Sequence, residues 1–302
     1  MILVTGSSGF VGSHLVDQLL EQGEKVRGVD VRPPHRKDFD FAKVDIRSYR
    51  ATLKAVRGAE FVYHLAALTS HRLSLRRPQI YTDTNIMGTR NVLEACRKNG
   101  VRKVVFSSSS SIYGRPAPNE LPLRENSPAR PMGPYAISKL AGENYCYFYN
   151  HALGLPTVTL RYFNVIGPRA RNDICITIFA DRILKGLQPI VFGNQTTRDF
   201  TDVRDTVKAT MLSMERDEAV GQIINVGAGR ETKVSGIAQM TIDALGKRGK
   251  IEPLVDDSKL SPHEAVRHFS DISKAKQLLK WQPRFSAKDA IEEYAKWIKT
   301  KV

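Results

Sequence analysis

Met1-Ile2-Leu3-Val4-Thr5-Gly6-Ser7-Ser8-Gly9-Phe10-Val11-Gly12 decides the fold of this chain. An apolar run over residues 2–4 enters a turn with glycines at positions 6, 9 and 12, and an amphipathic stretch over 10–20 follows. In that context the three glycines do different things. Gly6 lets the chain turn sharply, Gly9 lets backbone N–H groups approach a pyrophosphate, and Gly12 lets a helix pack close to a sheet. Phe10 and Val11 open that helix, whose unpaired N-terminal N–H groups suit a phosphate. A second apolar stretch over 25–29 ends in Asp30, placed to accept bonds from adenosine ribose hydroxyls and to repel a 2′-phosphate.

Strands and helices alternate outward from this turn. The pattern predicts strands over 2–5, 25–30, 42–45, 60–66 and 103–108, with helices over 10–22, 49–56 and 83–99. Such alternation implies right-handed βαβ units and a doubly wound parallel α/β sheet. The connection over 114–133 is rich in Pro and Arg, too long for a tight turn, and reads as a functional loop over the sheet's C-terminal edge. Beyond residue 167 the elements shorten. Helices are expected over 234–245, 271–280 and 287–300, with a loop through Ser261, Pro262 and His263. Residues 1–167, with returning segments near 198–227, are expected to form a dinucleotide-binding domain. Residues 168–302 then form mainly a smaller, interleaved α/β substrate-binding domain.

Composition excludes several classes of protein. With 302 residues, 41% hydrophobic and 25% charged, the chain reads as globular, and no apolar run approaches a membrane span. The first strand begins at residue 2, which argues against a signal peptide. Three cysteines without a C-x-x-C pair indicate neither a disulfide framework nor a metal site, and a reduced cytoplasmic setting fits. The net charge of +15 is spread over 32–37, 72–77, 124–130 and 169–171, with no nucleic-acid-binding motif beside it. It reads as a basic solvated surface, part of which steers an anionic nucleotide, rather than a nucleic-acid interface.

The chemistry-bearing residues follow the fifth strand. Five serines, Ser107 to Ser111, stand at its C-terminal end, where ligands bind in open α/β folds. Gly133-Pro134-Tyr135-Ala136-Ile137-Ser138-Lys139 then opens a helix to about residue 153, with Pro134 tolerated in its first turn. Tyr135 and Lys139 fall on one face at i and i+4. An ammonium beside a phenol favours the phenolate, so Tyr135 is expected to have a depressed pKa and to serve as a general base.

With these residues in place, the chain resembles the extended short-chain dehydrogenase/reductase family, and within it nucleotide-sugar 4-epimerases of the UDP-glucose 4-epimerase type. The likeness runs through residues 5–12, Asp30, Asp45-Ile46, His64-Leu65-Ala66-Ala67, Asn85, residues 106–114 and 135–139. It continues through Arg161 to Pro168, Arg198-Asp199-Phe200, Asn225-Val226-Gly227 and Asp271 to Ala275. The resemblance implies a Rossmann domain holding NAD through Gly6, Gly9, Phe10, Val11, Gly12, Asp30, Asp45, Ile46, Leu65, Ala66, Ala67, Asn85, Ser107, Tyr135, Lys139 and Tyr162. It implies catalysis by Ser109, Tyr135 and Lys139 through a transient 4-keto sugar. The UDP-sugar would be held by Ser109, Tyr135, Asn164, Arg171, Arg198 and Arg267. It also implies a homodimer in which the helix over 134–153 pairs with that over 83–99.

Departures from the family narrow the chemistry. Ser109-Ser110-Ser111 stands where 4,6-dehydratases carry Thr-Asp-Glu, so the acids for elimination are absent, and decarboxylation is disfavoured by Ser111. Ser261-Pro262-His263 replaces an Arg-Pro-Gly whose arginine holds the diphosphate, and Arg267 is the candidate substitute. Arg169-Ala170-Arg171 resembles a segment of UDP-glucuronate 4-epimerases, whereas Asn164 stands where those enzymes commonly carry threonine. UDP-glucose and UDP-galactose, or their N-acetyl forms, are the expected pair. UDP-glucuronate and 4-keto-sugar reduction are the enzymatic alternatives, and a non-catalytic dinucleotide sensor or nucleic-acid-binding protein is a distant one.

Overall fold

A computed structural model describes residues 1–259 and 265–301. Thirteen strands occur among these residues: β1 (Ile2–Thr5), β2 (Val26–Asp30), β3 (Asp40–Lys43), β4 (Phe61–His64), β5 (Lys103–Ser109), β6 (Thr157–Tyr162), β7 (Val165–Ile166), β8 (Ile190–Phe192), β9 (Thr197–Arg198), β10 (Thr201–Asp202), β11 (Ile223–Val226), β12 (Thr232–Lys233) and β13 (Leu254–Asp256). The helices are α1 (Phe10–Glu21), α2 (Tyr49–Val56), α3 (His71–Arg76), α4 (Pro78–Tyr81), α5 (Gly88–Lys98), α6 (Pro134–Leu153), α7 (Cys175–Leu184), α8 (Val203–Glu215), α9 (Val234–Ala244), α10 (Ser273–Leu279) and α11 (Ala287–Lys299).

A seven-stranded parallel sheet, ordered β11-β6-β5-β4-β1-β2-β3, carries the fold. Its strands read as continuous apolar runs because helices cover both faces. On one face Val4, Tyr63, Val105 and Leu160 pack with Leu15 and Val16 of α1 and Val207 and Met211 of α8. On the other, Leu3, Val62, Val104 and Phe106 pack with Val56 of α2, Val92 and Leu93 of α5 and Cys146 of α6. The sheet order reverses between β1 and β4, so the C-terminal ends of these strands frame a crevice. A separate core of α7, α9 and α11 with β8 lies beyond it. Three two-stranded pairs, β7 with β10, β9 with β12 and β8 with β13, stand on that side.

Two expected elements differ in instructive ways. The helix expected over 83–99 is interrupted: Thr82–Met87 is a π-helical turn, and α5 starts at Gly88. Asn85 accounts for it. Its Oδ1 accepts from Leu68 N at 2.8 Å, and its Nδ2 donates to Leu68 O and to Ser138 Oγ, contacts that a regular helix would not aim this way. The strand expected over 42–45 lies at Asp40–Lys43. Asp45 instead closes a turn, accepting from Arg47 N at 3.0 Å through its carboxylate and from Ser48 N through its carbonyl.

Candidate active site

The glycine turn is a cradle closed to side chains. Gly6 has φ +73°, and a Cβ there would lie 2.6 Å from Ala66 N; one at Gly12 would lie 2.1 Å from Gly6 O. Gly9 N donates to Gly6 O at 2.9 Å, and α1 begins at Phe10 with no side-chain cap. The N–H groups of its first turn, on Phe10, Val11 and Gly12, are thus left for an anion. Leu65 N donates to Thr5 O and Ala66 N to Thr5 Oγ1, which fixes the start of the Leu65-Ala66-Ala67 segment against this turn. Behind it, Thr5 Oγ1 lies 2.7 Å from His64 Nδ1, and His64 Nε2 lies 3.0 Å from Thr89 Oγ1. With Thr5 donating to Nδ1, Nε2–H donates to Thr89, and full burial holds the ring neutral by pushing its pKa down to about 3. His64 is a structural residue of the turn.

Asp30 closes the adenosine side. Its carboxylate accepts from Ser8 N at 3.0 Å and Arg32 N at 2.9 Å, at the C-terminal end of β2. Ile46 is buried and presses on Gly88, while Asp45 is engaged by the Arg47 guanidinium. These residues, together with the buried Asn85, fit a dinucleotide: a side-chain-free phosphate cradle, an acid suited to ribose hydroxyls and an apolar side chain, Ile46, suited to an adenine ring.

Ser109, Tyr135 and Lys139 come together where the end of β5 meets the first turns of α6. Ser109 Oγ accepts from Ser111 N at 3.2 Å, and its hydroxyl favours the Tyr135 phenolate. Lys139, one turn on, donates its Nζ to Ser107 O at 2.7 Å and lies 5.0 Å from the centre of the Phe106 ring. Here the structure corrects an expectation. Burial pushes the Tyr135 phenol up rather than down, and the influences opposing it are the Ser109 hydroxyl and the Arg171 charge. The Lys139 ammonium is turned to the Ser107 carbonyl, and its own pKa is pushed down to about 8 by burial.

Glu143 continues the Tyr135–Lys139 row by a further four residues and was not anticipated from the sequence. It pairs with Arg161 of β6 through two bonds, Nε to Oε1 at 3.0 Å and Nη2 to Oε2 at 2.8 Å, with side chains only 2% and 5% exposed. Ser108 Oγ donates to Glu143 at 2.5 Å. Arg161 Nη1 also donates to Tyr113 OH and Glu125 O, and Tyr113 OH donates to Asn225 Oδ1. This network ties β5, α6, β6, β11 and the 114–133 loop together directly behind Ser109. A carboxylate four residues beyond Lys139 and eight beyond Tyr135, on one buried helix face, was its one sequence signal.

The expected substrate residues are distributed along the opposite wall. Arg171 bonds Thr69 Oγ1 and donates Nε to Asp173 at 2.9 Å, with its charge acting on Tyr135. Asn164 Nδ2 donates to Asp199 O at 3.2 Å, and Arg198 Nη1 donates to Thr197 O at 2.7 Å. Arg267 forms a two-bond pair with Glu231, both at 2.7 Å. The buried Asp199 carboxylate braces this wall, accepting from Ala228 N, Gly229 N and Ser270 Oγ. The Tyr162 hydroxyl pairs with Thr210 on α8 at 2.7 Å, on the sheet face opposite Arg161, and its half-buried ring packs against the core. The Ser261-Pro262-His263 stretch lies outside the described residues.

The comparisons agree with this geometry. The model of the NAD dependent epimerase/dehydratase family matches residues 2–227. A UDP-glucose 4-epimerase of Mycolicibacterium smegmatis is 34% identical over 315 residues, spanning 99% of this chain and 98% of its own. The solved UDP-glucose 4-epimerase of Thermotoga maritima, with UDP-glucose, superposes with a TM-score of 0.91 at 32% identity over 99% of both chains. The UDP-glucuronic acid 4-epimerase of Bacillus cereus, with UDP-glucuronic acid and NAD, also gives 0.91 at 32% identity, covering 100% of this chain and 99% of its own.

Proposed function

We infer that this chain, which belongs to the NAD dependent epimerase/dehydratase family, is an NAD-dependent nucleotide-sugar 4-epimerase acting on a UDP-sugar. The observation that carries the reading is the meeting of Ser109 at the end of β5 with Tyr135 and, one helical turn on, Lys139, which donates to Ser107 O, at the strand ends beside the glycine cradle. The cradle at Gly6, Gly9 and Gly12, Asp30 and Lys139 would hold NAD, which when bound supplies a hydride acceptor and donor at sugar C4. Ser109 orients the 4-hydroxyl, and Tyr135 removes its proton as the carbonyl forms. Tyr135 returns that proton to O4 when the carbonyl is reduced on its other face. The site thus ends each turnover as it began, and the reaction is an isomerisation. Burial raises the phenol pKa, while Ser109 and the Arg171 guanidinium stabilise the phenolate.

UDP-glucose and UDP-galactose, or their N-acetyl forms, are the pair we propose. A second reading, UDP-glucuronate, is favoured by Arg171, whose charge acts on Tyr135 and whose guanidinium suits a sugar carboxylate. Asn164, Arg198 and Arg267 are the proposed diphosphate holders. We also propose a homodimer, supported by the exposed Ile137, Tyr147 and Phe148 of α6, and a cytoplasmic setting, which suits three free thiols. Separate incubation with UDP-glucose, UDP-N-acetylglucosamine and UDP-glucuronate, with product analysis by chromatography, tests the function. One of the three should equilibrate with its C4 epimer without net cofactor consumption. Failure of all three, with NAD present, would overturn it.

A further inference from the structure

Two non-glycine residues adopt left-handed backbone among the described residues, Lys280 at φ 51° and Arg169 at φ 62°. Lys280 is explained by its place as the C-cap of α10. Arg169 caps no helix. It lies in the loop after β7, and a non-glycine residue is held in this conformation only where its surroundings over-determine it.

The surroundings of Arg169 come from α1. Its Nη2 lies 2.8 Å from Asp17 Oδ2, and its Nε stands 3.3 Å from His14 Nε2. His14 Nε2–H donates to the preceding carbonyl, Pro168 O, at 2.8 Å. Burial holds this histidine neutral, its pKa pushed down to about 4. Asp17 also receives His35 and Arg36, so it is a fixed anchor rather than a free surface carboxylate. Just before, Gly167 sits against α8: its φ is +146°, and a Cβ there would meet Val203 Cγ1 at 2.7 Å. The loop is therefore pinned to α8 and α1 in three consecutive residues. Two residues later comes Arg171, whose carbonyl accepts from Thr177 Oγ1 at 2.7 Å and whose guanidinium bonds Thr69.

We propose that Arg169 is a positioning residue. By pairing with Asp17 on α1, beside the bond from His14 to Pro168 O, it holds the loop after β7 and fixes Arg171 beside Tyr135, and it joins the helix that opens the phosphate cradle to the sugar end of the cleft. This rests on the reading that Arg171 faces the sugar. The left-handed turn at Arg169 sends its own side chain to α1 while directing the chain on toward Arg171. No contact of Arg169 with sugar or cofactor is needed.

The test uses the full-length enzyme and four variants: Arg169→Gly, Arg169→Lys, Arg171→Ala and the double variant Arg169→Gly/Arg171→Ala. Glycine removes the clamp while accepting the left-handed backbone, so folding is spared. Affinity for UDP-glucose and UDP-glucuronate is measured by calorimetry, with kcat and retained NAD alongside. Arg169→Gly should weaken the better-bound sugar nucleotide about fivefold to tenfold, with NAD content unchanged. Arg169→Lys should recover most of that loss. In the Arg171→Ala background, Arg169→Gly should change affinity no further. Multiplicative losses, or an unchanged affinity in Arg169→Gly, would overturn the positioning role while leaving the reading of Arg171 intact. An Arg171→Ala variant that binds both ligands as the wild type does would overturn the reading of Arg171 and the proposal with it. Equilibration of a UDP-sugar by the wild type tests the epimerase function separately.

Discussion

The two walls of the cleft are held by different physics. On the β5–α6 wall, Ser109, Tyr135 and Lys139 stand in front of a buried network centred on Glu143 and Arg161, with side chains 2% and 5% exposed. On the opposite wall, Arg171 and Arg267 pair with Asp173 and Glu231 at the surface, the two arginines 38% and 48% exposed. A buried pair is costly to disturb because a lone charge cannot be resolvated, whereas a surface pair exchanges readily with water or another anion. The first wall suits chemistry that needs fixed geometry. The second suits recognition of variable anionic groups, since an incoming phosphate or carboxylate replaces one anion by another.

The largest effect should follow from removing the proposed base. Tyr135→Phe should lower kcat by about 10³-fold or more, because the proton on O4 loses its acceptor. Bound NAD should remain near wild-type content, since the cradle is backbone. Product formation under single-turnover conditions measures the first, and absorbance of the released cofactor the second. A variant keeping a tenth of the wild-type rate would remove Tyr135 from the role of base.

The buried support should come next. Glu143→Gln leaves the Arg161 guanidinium without its carboxylate inside the core, and stability should fall by about 3–5 kcal/mol. Glu231→Gln, which strips the same kind of partner from Arg267 at the surface, should leave stability unchanged within error. Urea unfolding followed by fluorescence measures both. Equal losses would erase the distinction between the walls.

Acid should also discriminate between them. His64 and His268 are buried and neutral, with pKa values pushed down to about 3, His64 by burial and then Lys139, His268 by burial and then Arg198. The unfolded chain protonates both near pH 6.5, and the folded chain does not, so stability is full above that value and is lost as pH falls toward 3. Each histidine contributes about 1.4 kcal/mol per pH unit within that window. Lys139 works at the other end. Its folded pKa of about 8 lies below the ordinary 10.5, so the cost of burying its charge is present below pH 8 and is relieved as pH rises. His64→Gln should flatten the acid slope between pH 6 and 4 by one histidine's share, measured by thermal unfolding at stepped pH.

The same contrast governs how much was legible in the sequence. The glycine spacing, Asp30 and the Tyr135–Lys139 pair are local patterns, and the sheet, the cradle and α6 followed from them. The resemblance supplied the remaining cofactor residues as expectations. What resisted were features decided by distant partners. The partner of the Tyr162 hydroxyl, Thr210, stands 48 positions on and was not legible locally. The π-helical turn at Asn85 depends on Leu68 and Ser138. Glu143 pairs across 18 positions with Arg161, and only its four-residue spacing from Lys139 hinted at a buried charge. Long-range electrostatics also overrode a local rule, because Lys139 bonds Ser107 O while burial dominates the Tyr135 phenol.

The smallest effect, and the one that most sharpens the contrast, concerns Arg267. In the structure its guanidinium is held by Glu231 through two bonds, and Glu231 also accepts from Thr197 Oγ1, next to Arg198. If Arg267 helps hold the diphosphate, Glu231 competes with the substrate for it. Arg267→Ala should weaken UDP binding about threefold to fivefold, as loss of one exposed charge-assisted contact does. Glu231→Gln should do the reverse, tightening UDP about twofold by releasing the guanidinium from a competing anion. Added salt should shrink both changes, because both groups are exposed. Calorimetric titration with UDP at two ionic strengths distinguishes the outcomes. Opposite signs would make the surface wall an adjustable anion receptor. A loss from both variants would instead show that Glu231 props Arg267 in place, and that this wall, like the catalytic one, is built to stay still.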